Sequence, residues 1–187
     1  MWRLVIVIET LNRKYKVIYA DPPWHFKSFS KKGEGRSAVQ HYDCMDLDSI
    51  CRLPVSSVAD DNSVLLMWVT DPYLHQAFDV MRSWDFTYKT VGFTWVKTNK
   101  SEGYFTGMGY WTRSNPEMCL LGTRGKPKRL DKSIKQLVVS QRREHSRKPD
   151  EVYDRIEKML EGPYLEMFAR KTRQGWDNFG NEVNKFD

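Results

Sequence analysis

The sequence predicts a Rossmann-like α/β fold, in which a central, mostly parallel β-sheet is flanked by helices. Short apolar segments typical of strands alternate with amphipathic segments typical of helices. The 187 residues, 40% of them apolar, suffice for one domain with a real core, and a single domain is expected over 1–187. Ligands of such sheets bind beyond the carboxyl ends of the strands, so functional residues are expected there.

Strands and helices are predicted in alternation along the chain. Residues that favour strands are concentrated at 16–20, 64–69, 91–96, 117–121, 136–140 and 164–169. Helical spacing of apolar residues, with a proline at one end of each segment, indicates helices at 46–53, 72–84 and 149–160. The apolar stretch 1–8 indicates a first strand rather than a signal peptide. Polar, glycine-containing segments predict loops at 28–40, 97–115 and 175–182, the first of them mobile.

Basic residues exceed acidic ones. With 30 Lys and Arg against 24 Asp and Glu, the net charge is +6. The excess is concentrated in two basic clusters, which comprise Arg124, Lys126, Lys128, Arg129, Lys132 and Lys135, and Arg142, Arg143, Arg147 and Lys148. Such clusters are typical of a surface that binds a polyanion, and a solvated surface is the alternative.

Membrane proteins, disulfide frameworks and metal sites are not expected. No apolar run approaches the ~20 residues that cross a bilayer. Cys44, Cys51 and Cys119 form no CxxC pair and indicate reduced residues of a cytosolic protein. The four histidines are scattered without ligand spacing, so no metal is expected.

The most informative motif is Asp21-Pro22-Pro23-Trp24, directly after the predicted strand 16–20. Both prolines fix φ and donate no N–H, which predicts a rigid turn with free carbonyls. Asp21 and the Pro22 carbonyl can accept the two hydrogens of an exocyclic amino group, while Trp24 stacks on its heterocycle. The alternative is an ordinary turn whose tryptophan packs in the core.

The tetrapeptide resembles the D-P-P-[FYW] motif of amino-methyltransferases, which use S-adenosylmethionine, and later residues offer polar groups for such a cofactor. Glu166 interrupts an otherwise apolar predicted strand, where a carboxylate is costly unless it has a partner. Arg170 follows at the end of that strand. The segment 175–182 adds glycines for close approach, together with amide and carboxylate side chains.

Further motifs make the resemblance specific. The tetrapeptide is followed by HY at 41–42, LMWVT at 66–70, WVKTN at 95–99, GYW at 109–111, EMCLLG at 117–122, SRKPDE at 146–151, LEMFAR at 165–170 and WDNFGNE at 176–182. From about residue 15 onwards the chain resembles the MT-A70 family of adenine-N6 methyltransferases, in the compact form of its phage and bacterial members. The resemblance implies a methyltransferase domain with S-adenosylmethionine as cofactor.

The resemblance also implies a role for each matched residue. Asp21 and Pro22 would hold the adenine amino group, and Trp24 would stack on the base. The implied catalytic set is Asp21, Pro22, Pro23 and Trp24. The implied cofactor contacts are Asp21 and Lys148 at the methionine end, Glu166 and Arg170 at the ribose, and Asn181 and Glu182 at the ribose or adenine.

Nucleic-acid contacts are predicted from three segments. His41 and Tyr42 would close over the base, with loop packing as the alternative. Contacts to the substrate strand are predicted from Lys97, Asn99, Trp111 and Arg113, with a solvated loop as the alternative. The chain departs from the family after Arg170, where 171–173 reads Lys-Thr-Arg instead of a ribose-touching Pro-His-Asn triplet.

Three functional hypotheses remain. The first is methyl transfer to N6 of adenine in DNA, which the compact length and the net charge favour. The second is the same reaction on RNA or on single-stranded nucleic acid in general. The third, an inactive nucleic-acid-binding subunit, is disfavoured because both Asp21 and Trp24 are present. The resemblance further implies a homodimer and a location in the cytoplasm of a bacterium or phage-infected cell.

Overall fold

A single β-sheet forms the centre of the computed structural model, which describes residues 12–24, 44–144 and 146–187. Its strands in this part of the chain are β1 (Tyr15–Ala20), β2 (Ala59–Val69), β3 (Thr87–Thr98), β4 (Glu117–Arg124), β5 (Leu137–Gln141), β6 (Tyr164–Met167) and β7 (Trp176–Phe179). The spatial order is β5-β3-β4-β2-β1-β6-β7. Strand β4 is antiparallel to both of its neighbours, whereas the other pairs are parallel, so the predicted mostly parallel sheet is confirmed.

Helices cover both faces of this sheet. The described helices are α1 (Leu47–Cys51), α2 (Val55–Val58), α3 (Leu74–Ser83) and α4 (Glu151–Met159). Asp46 caps α1 by accepting a hydrogen bond from the backbone N–H of Ser49 at 2.7 Å. Helices α1 to α3 pack on one face and α4 packs on the other, where it covers Tyr19 and Trp68. Trp68 is therefore a core residue, as its strand predicts.

Two boundaries near the carboxyl terminus differ from the prediction. The predicted loop 175–182 is wrong in its first half, because Trp176–Phe179 is strand β7. The polar pair Asp177 and Asn178 hides the strand in the sequence, although Trp176 and Phe179 are buried on either side. Strand β6 ends before Phe168, whose φ of 63° leaves the extended region.

Two predicted segments, the strand 1–8 and the loop 28–40, lie outside the described residues. The short helix α2 was not predicted, since its four residues are too few for a helical pattern. None of the helices in the described ranges has the length and apolar character that crossing a membrane requires.

Candidate active site

An open cleft lies where β1 and β6 end, on the face of the sheet that α4 covers. The two strands are adjacent and parallel, so their carboxyl ends meet at one edge. Four residues predicted to bind the cofactor line this cleft, namely Asp21, Lys148, Glu166 and Arg170. Residues separated by up to 149 positions in the sequence are thus brought together by the sheet topology.

Asp21 and Lys148 form an ion pair in the cleft. The Lys148 Nζ lies 2.6 Å from Asp21 Oδ2, and the Ser146 hydroxyl donates to the same oxygen at 3.5 Å. The Lys148 side chain is only 8% exposed. Its ammonium also lies 5.5 Å from the ring centroid of Trp68. These contacts hold the Asp21 carboxylate at a defined point beside the Pro-Pro turn.

Glu117 extends this ion pair and was not predicted as a site residue. Its Oε2 lies 3.4 Å from Lys148 Nζ, and its Oε1 lies 2.6 Å from Lys97 Nζ. Burial opposes ionisation of Glu117, but the two ammonium groups outweigh burial and lower its pKa to about 2. Glu117 begins the antiparallel strand β4, so it lies at the edge where the neighbouring parallel strands end.

Glu166 is a buried carboxylate of a different kind. The Tyr153 hydroxyl donates to its Oε1 at 2.7 Å, whereas Oε2 is buried and accepts from no donor among the described residues. Burial raises the pKa of Glu166 to about 7, even though the Tyr153 hydrogen bond lowers it. Buried carboxylate oxygens normally have partners, so Oε2 suits a hydroxyl group of a ligand.

The other predicted cofactor residues follow β6 and β7. Arg170 lines the cleft, and its Nε lies 3.4 Å from Glu182 Oε2. Gly180 packs so closely that a Cβ would lie 2.5 Å from the Ala169 carbonyl oxygen, so the turn before Asn181 requires glycine. Asn181 is exposed and does not line the cleft. The structure therefore joins Glu182 to the site through Arg170 and leaves Asn181 at the surface.

The carbonyls of the Pro-Pro turn are not free, and that detail of the prediction is wrong. The Pro22 carbonyl accepts from the Trp24 N–H at 2.8 Å, and the Pro23 carbonyl accepts from the Met45 N–H at 2.9 Å. Both N–H groups would otherwise lack a partner near the core. A carbonyl oxygen has two lone pairs, so the Pro22 carbonyl retains capacity for one further donor.

Trp24 lies in the core and not among the residues that line the cleft. Its side chain is 5% exposed, and its ring stacks on Tyr73 with centroids 5.7 Å apart. Its Nε1–H donates to the Trp68 carbonyl at 3.1 Å. These contacts agree with the alternative interpretation of the motif, in which the tryptophan packs in the core. Stacking of Trp24 on a base stays a prediction.

The sequence was compared with protein families and with known proteins. The MT-A70 family model matches residues 15–182. The chain belongs to the MT-A70 family. The type II methyltransferase M.MunI of Mycoplasma sp is 34% identical over 92% of this chain and 79% of its own length. The predicted family, fold class and enzyme class, an adenine-N6 methyltransferase, are thus confirmed.

Longer MT-A70 proteins are also similar. An N(6)-adenosine-methyltransferase MT-A70-like protein of Drosophila melanogaster is 30% identical over 94% of this chain. The human N(6)-adenosine-methyltransferase catalytic subunit METTL3 is 28% identical over 91% of it. In both cases the match spans only 28% of the relative's own length.

The predicted nucleic-acid residues that the structure of this MT-A70 protein describes differ in exposure: Lys97 and Asn99 are half-buried, whereas Trp111 and Arg113 are exposed. His41 and Tyr42 lie outside the described residues. Lys97 is held by Glu117, as described above. The Asn99 side-chain amide donates to the Tyr104 carbonyl at 3.2 Å, so it shapes the loop after β3.

The loop between β3 and β4 exposes large apolar side chains. Trp111 is 99% exposed, and exposed neighbours in the same loop are Tyr104, Met108 and Tyr110. Arg113 is also exposed. Aromatic rings beside a cation are the combination that binds unpaired bases, so Trp111 and Arg113 are accessible for the predicted contact.

Proposed function

We propose that this protein transfers a methyl group from S-adenosylmethionine to the exocyclic N6 of adenine in DNA. The observation that carries the proposal is the meeting of Asp21, Lys148 and Glu166 in one cleft at the strand ends. A buried ammonium, a carboxylate beside a rigid turn and a carboxylate with one unused oxygen are the groups that this reaction and its cofactor require.

The charges of the cleft fit S-adenosylmethionine. Lys148 suits the carboxylate of its methionine part, because an ammonium and a carboxylate form a charge-assisted hydrogen bond. Oε2 of Glu166, which has no donor among the described residues, suits a ribose hydroxyl, and Arg170, which contacts Glu182, lines the same cleft. The cofactor supplies a methyl group on a sulfonium, which is transferred by direct displacement.

Asp21 and the Pro22 carbonyl act on the attacking nitrogen. The amino group of adenine is a weak nucleophile because its lone pair is conjugated into the ring. When Asp21 and the Pro22 carbonyl accept its two hydrogens, the nitrogen moves towards tetrahedral geometry, and its lone pair is directed away from the ring. The same acceptors stabilise the positive charge that develops on nitrogen. The methylated nitrogen then loses one proton to water.

DNA is the favoured polymer, and RNA is the second candidate. The type II methyltransferase resembles this chain along 79% of its own length, which supports DNA. The N(6)-adenosine-methyltransferases resemble this chain over 28% of their own length. The word adenosine in their names supports RNA. The net charge of +6 suits either polymer.

Parallel assays on matched DNA and RNA oligonucleotides test the function. Labelled S-adenosylmethionine should transfer its methyl group to DNA, in single-stranded or duplex form, and Asp21→Ala should abolish the transfer. Label in RNA alone would replace the first candidate by the second. Label in neither polymer would overturn the proposed function and favour an inactive binding subunit.

We extend the proposal to the partners of the protein. Trp111, Arg113 and the two basic clusters are proposed to contact the substrate strand. A homodimer, a single domain over 1–187 and a cytoplasmic location in a bacterium or phage-infected cell stay predictions. Analytical ultracentrifugation of the full chain would measure the first of these.

A further inference from the structure

A hydrogen bond links helix α4 to the cleft through Tyr153 and Glu166. We propose that Tyr153 is a positioning residue, which holds one oxygen of Glu166 so that the other receives the vicinal hydroxyls of the cofactor ribose. The inference rests on the proposed function and assigns a new residue to its cofactor site.

Tyr153 is rigidly held. Its ring packs edge-on against Tyr19 at 5.1 Å and against Trp176 at 5.3 Å between centroids. The charged groups of Lys171 and Arg173 lie 5.5 Å and 5.1 Å from its centroid. Because the ring is fixed on several sides, its hydroxyl presents a donor at one point, 2.7 Å from Glu166 Oε1. That leaves Oε2, which has no donor among the described residues, as the oxygen that a ligand would satisfy.

The charge state of Glu166 decides what Oε2 can bind. A carboxylate accepts hydrogen bonds at both oxygens, whereas a carboxylic acid carries a hydrogen on one of them. Two ribose hydroxyls require acceptors, so the ionised form should bind the cofactor. Burial raises the pKa of Glu166 to about 7, and the Tyr153 hydrogen bond lowers it. The ionised fraction near neutral pH therefore depends on Tyr153.

Titratable groups lie near Glu166 on the elements packed around it. They are Tyr19 and Asp21 of the β1 side, Asp150 and Tyr153 of the α4 side, Lys171 and Arg173 after β6, and Lys148 and Arg170 across the cleft. Asn178 of β7, the register partner of Glu166, is neutral.

Several of these neighbours keep their protonation state near neutral pH. Burial raises the pKa of both Tyr19 and Tyr153, so they stay protonated. Burial opposes ionisation of Asp150, but hydrogen bonds from Arg143 and Lys171 lower its pKa to about 2. Glu166 differs from these groups because its pKa lies near neutrality.

Replacement of Tyr153 by phenylalanine removes the hydroxyl and keeps the ring. Tyr164→Phe is the matched control, because the Tyr164 hydroxyl donates to the Leu160 carbonyl at 2.7 Å and its ring stacks on Trp176 at 4.7 Å, outside the cleft. The measurement is the dissociation constant of S-adenosylhomocysteine by calorimetry between about pH 5.5 and pH 8.5. The wild type should bind about tenfold more weakly at pH 6 than at pH 8.

In Tyr153→Phe the midpoint of this dependence should move up by about one pH unit, since a hydrogen bond to a charged group is lost. Binding should weaken about fivefold at neutral pH and recover to within about twofold at pH 8.5. Tyr164→Phe should follow the wild type. Unchanged binding in Tyr153→Phe, or equal weakening at every pH, would overturn the inference. A wild type that binds at no pH would instead overturn the proposed function.

A second measurement needs no variant. An S-adenosylhomocysteine analogue without the 2′- and 3′-hydroxyls should bind the wild type weakly and without the pH dependence. If the analogue retains the full pH dependence, Oε2 of Glu166 does not receive the ribose hydroxyls.

Discussion

Two carboxylates in the cleft, Asp21 and Glu166, differ in their surroundings, and the difference suits them to different tasks. Asp21 lies 2.6 Å from a buried ammonium, so its charge is balanced where the amino group of the base is proposed to arrive. Among the described residues, only the Tyr153 hydroxyl donates to Glu166, and Oε2 accepts from no donor. The ion pair suits Asp21 to a nitrogen that becomes positively charged during the reaction. Burial suits Glu166 to neutral hydroxyl groups.

Asp21→Asn should lower the rate of methyl transfer by about 100-fold or more, the cost typical of losing a group that stabilises developing charge. An amide keeps the shape of the side chain but provides a weaker acceptor and presents donors to Lys148. Initial rates with labelled S-adenosylmethionine measure the effect. Asp61→Asn, at an exposed aspartate of β2, is the control. A rate within twofold of the wild type would refute the role of Asp21.

Glu117→Gln should lower the free energy of unfolding by about 1–3 kcal/mol at neutral pH, because two partly buried ammonium groups lose a carboxylate. The folded-state pKa of about 2 lies below the ordinary value of 4.5, so the stabilisation is present above that value and disappears as the pH falls towards 2. Urea unfolding at several pH values should show that the difference in free energy of unfolding between the variant and the wild type decreases as the pH falls from 4.5 to about 2. Glu102→Gln, at an exposed loop position, is the control. A gap that stays constant down to pH 2 would contradict this account.

At the scale of elements, strand β4 explains both a success and an omission. The strand itself was readable from its apolar residues, but its reversed direction was not. Glu117 joins the site only because that reversal places the start of β4 at the edge where the neighbours end. Asp21, Glu166 and Arg170 were readable because they follow or interrupt predicted strands, and Lys148 was readable because it lies in a motif of the family. Strand β7 was missed since its middle residues are polar.

The loop between β3 and β4 carries the exposed Trp111, and its replacement should act on binding alone. Trp111→Ser should weaken binding of a DNA oligonucleotide by about fivefold or more, in line with ~1–3 kcal/mol for stacking on a base. The free energy of unfolding should not change, because the side chain is 99% exposed. Val139→Ser, at an exposed apolar residue of β5 outside the basic clusters, is the control for fluorescence-anisotropy titrations. Equal affinity of the two variants would remove Trp111 from the proposed interface.

At the scale of the whole molecule, the sheet brings the site residues together, and the positive net charge favours binding of a nucleic acid. The order of strands explains how segments near both ends of the described chain reach one cleft. The sequence predicts the sheet because apolar periodicity is local. Contacts between a helix and the sheet, such as that of Tyr153 with Glu166, depend on how the two elements pack. The periodicity of apolar residues carries no information about this packing.

Salt dependence tests whether the basic clusters contact the polymer. The logarithm of the DNA-binding constant should fall linearly with the logarithm of salt concentration, by about 0.9 for each phosphate contact. Replacing Lys126, Lys128 and Arg129 by glutamine should reduce this slope by about 2–3. Lys158→Gln, at an exposed residue outside the clusters, is the control. An unchanged slope in the triple variant would identify that cluster as a solvated surface.

The central claim is methyl transfer to N6 of adenine, and nucleoside analysis of the product tests it most directly. Unmethylated DNA is incubated with the full-length protein and S-adenosylmethionine, digested, and examined by mass spectrometry. The account predicts N6-methyladenine with the wild type and none with Asp21→Ala. Methylated cytosine in place of adenine, or no methylated base in single-stranded and duplex DNA alike, would contradict it.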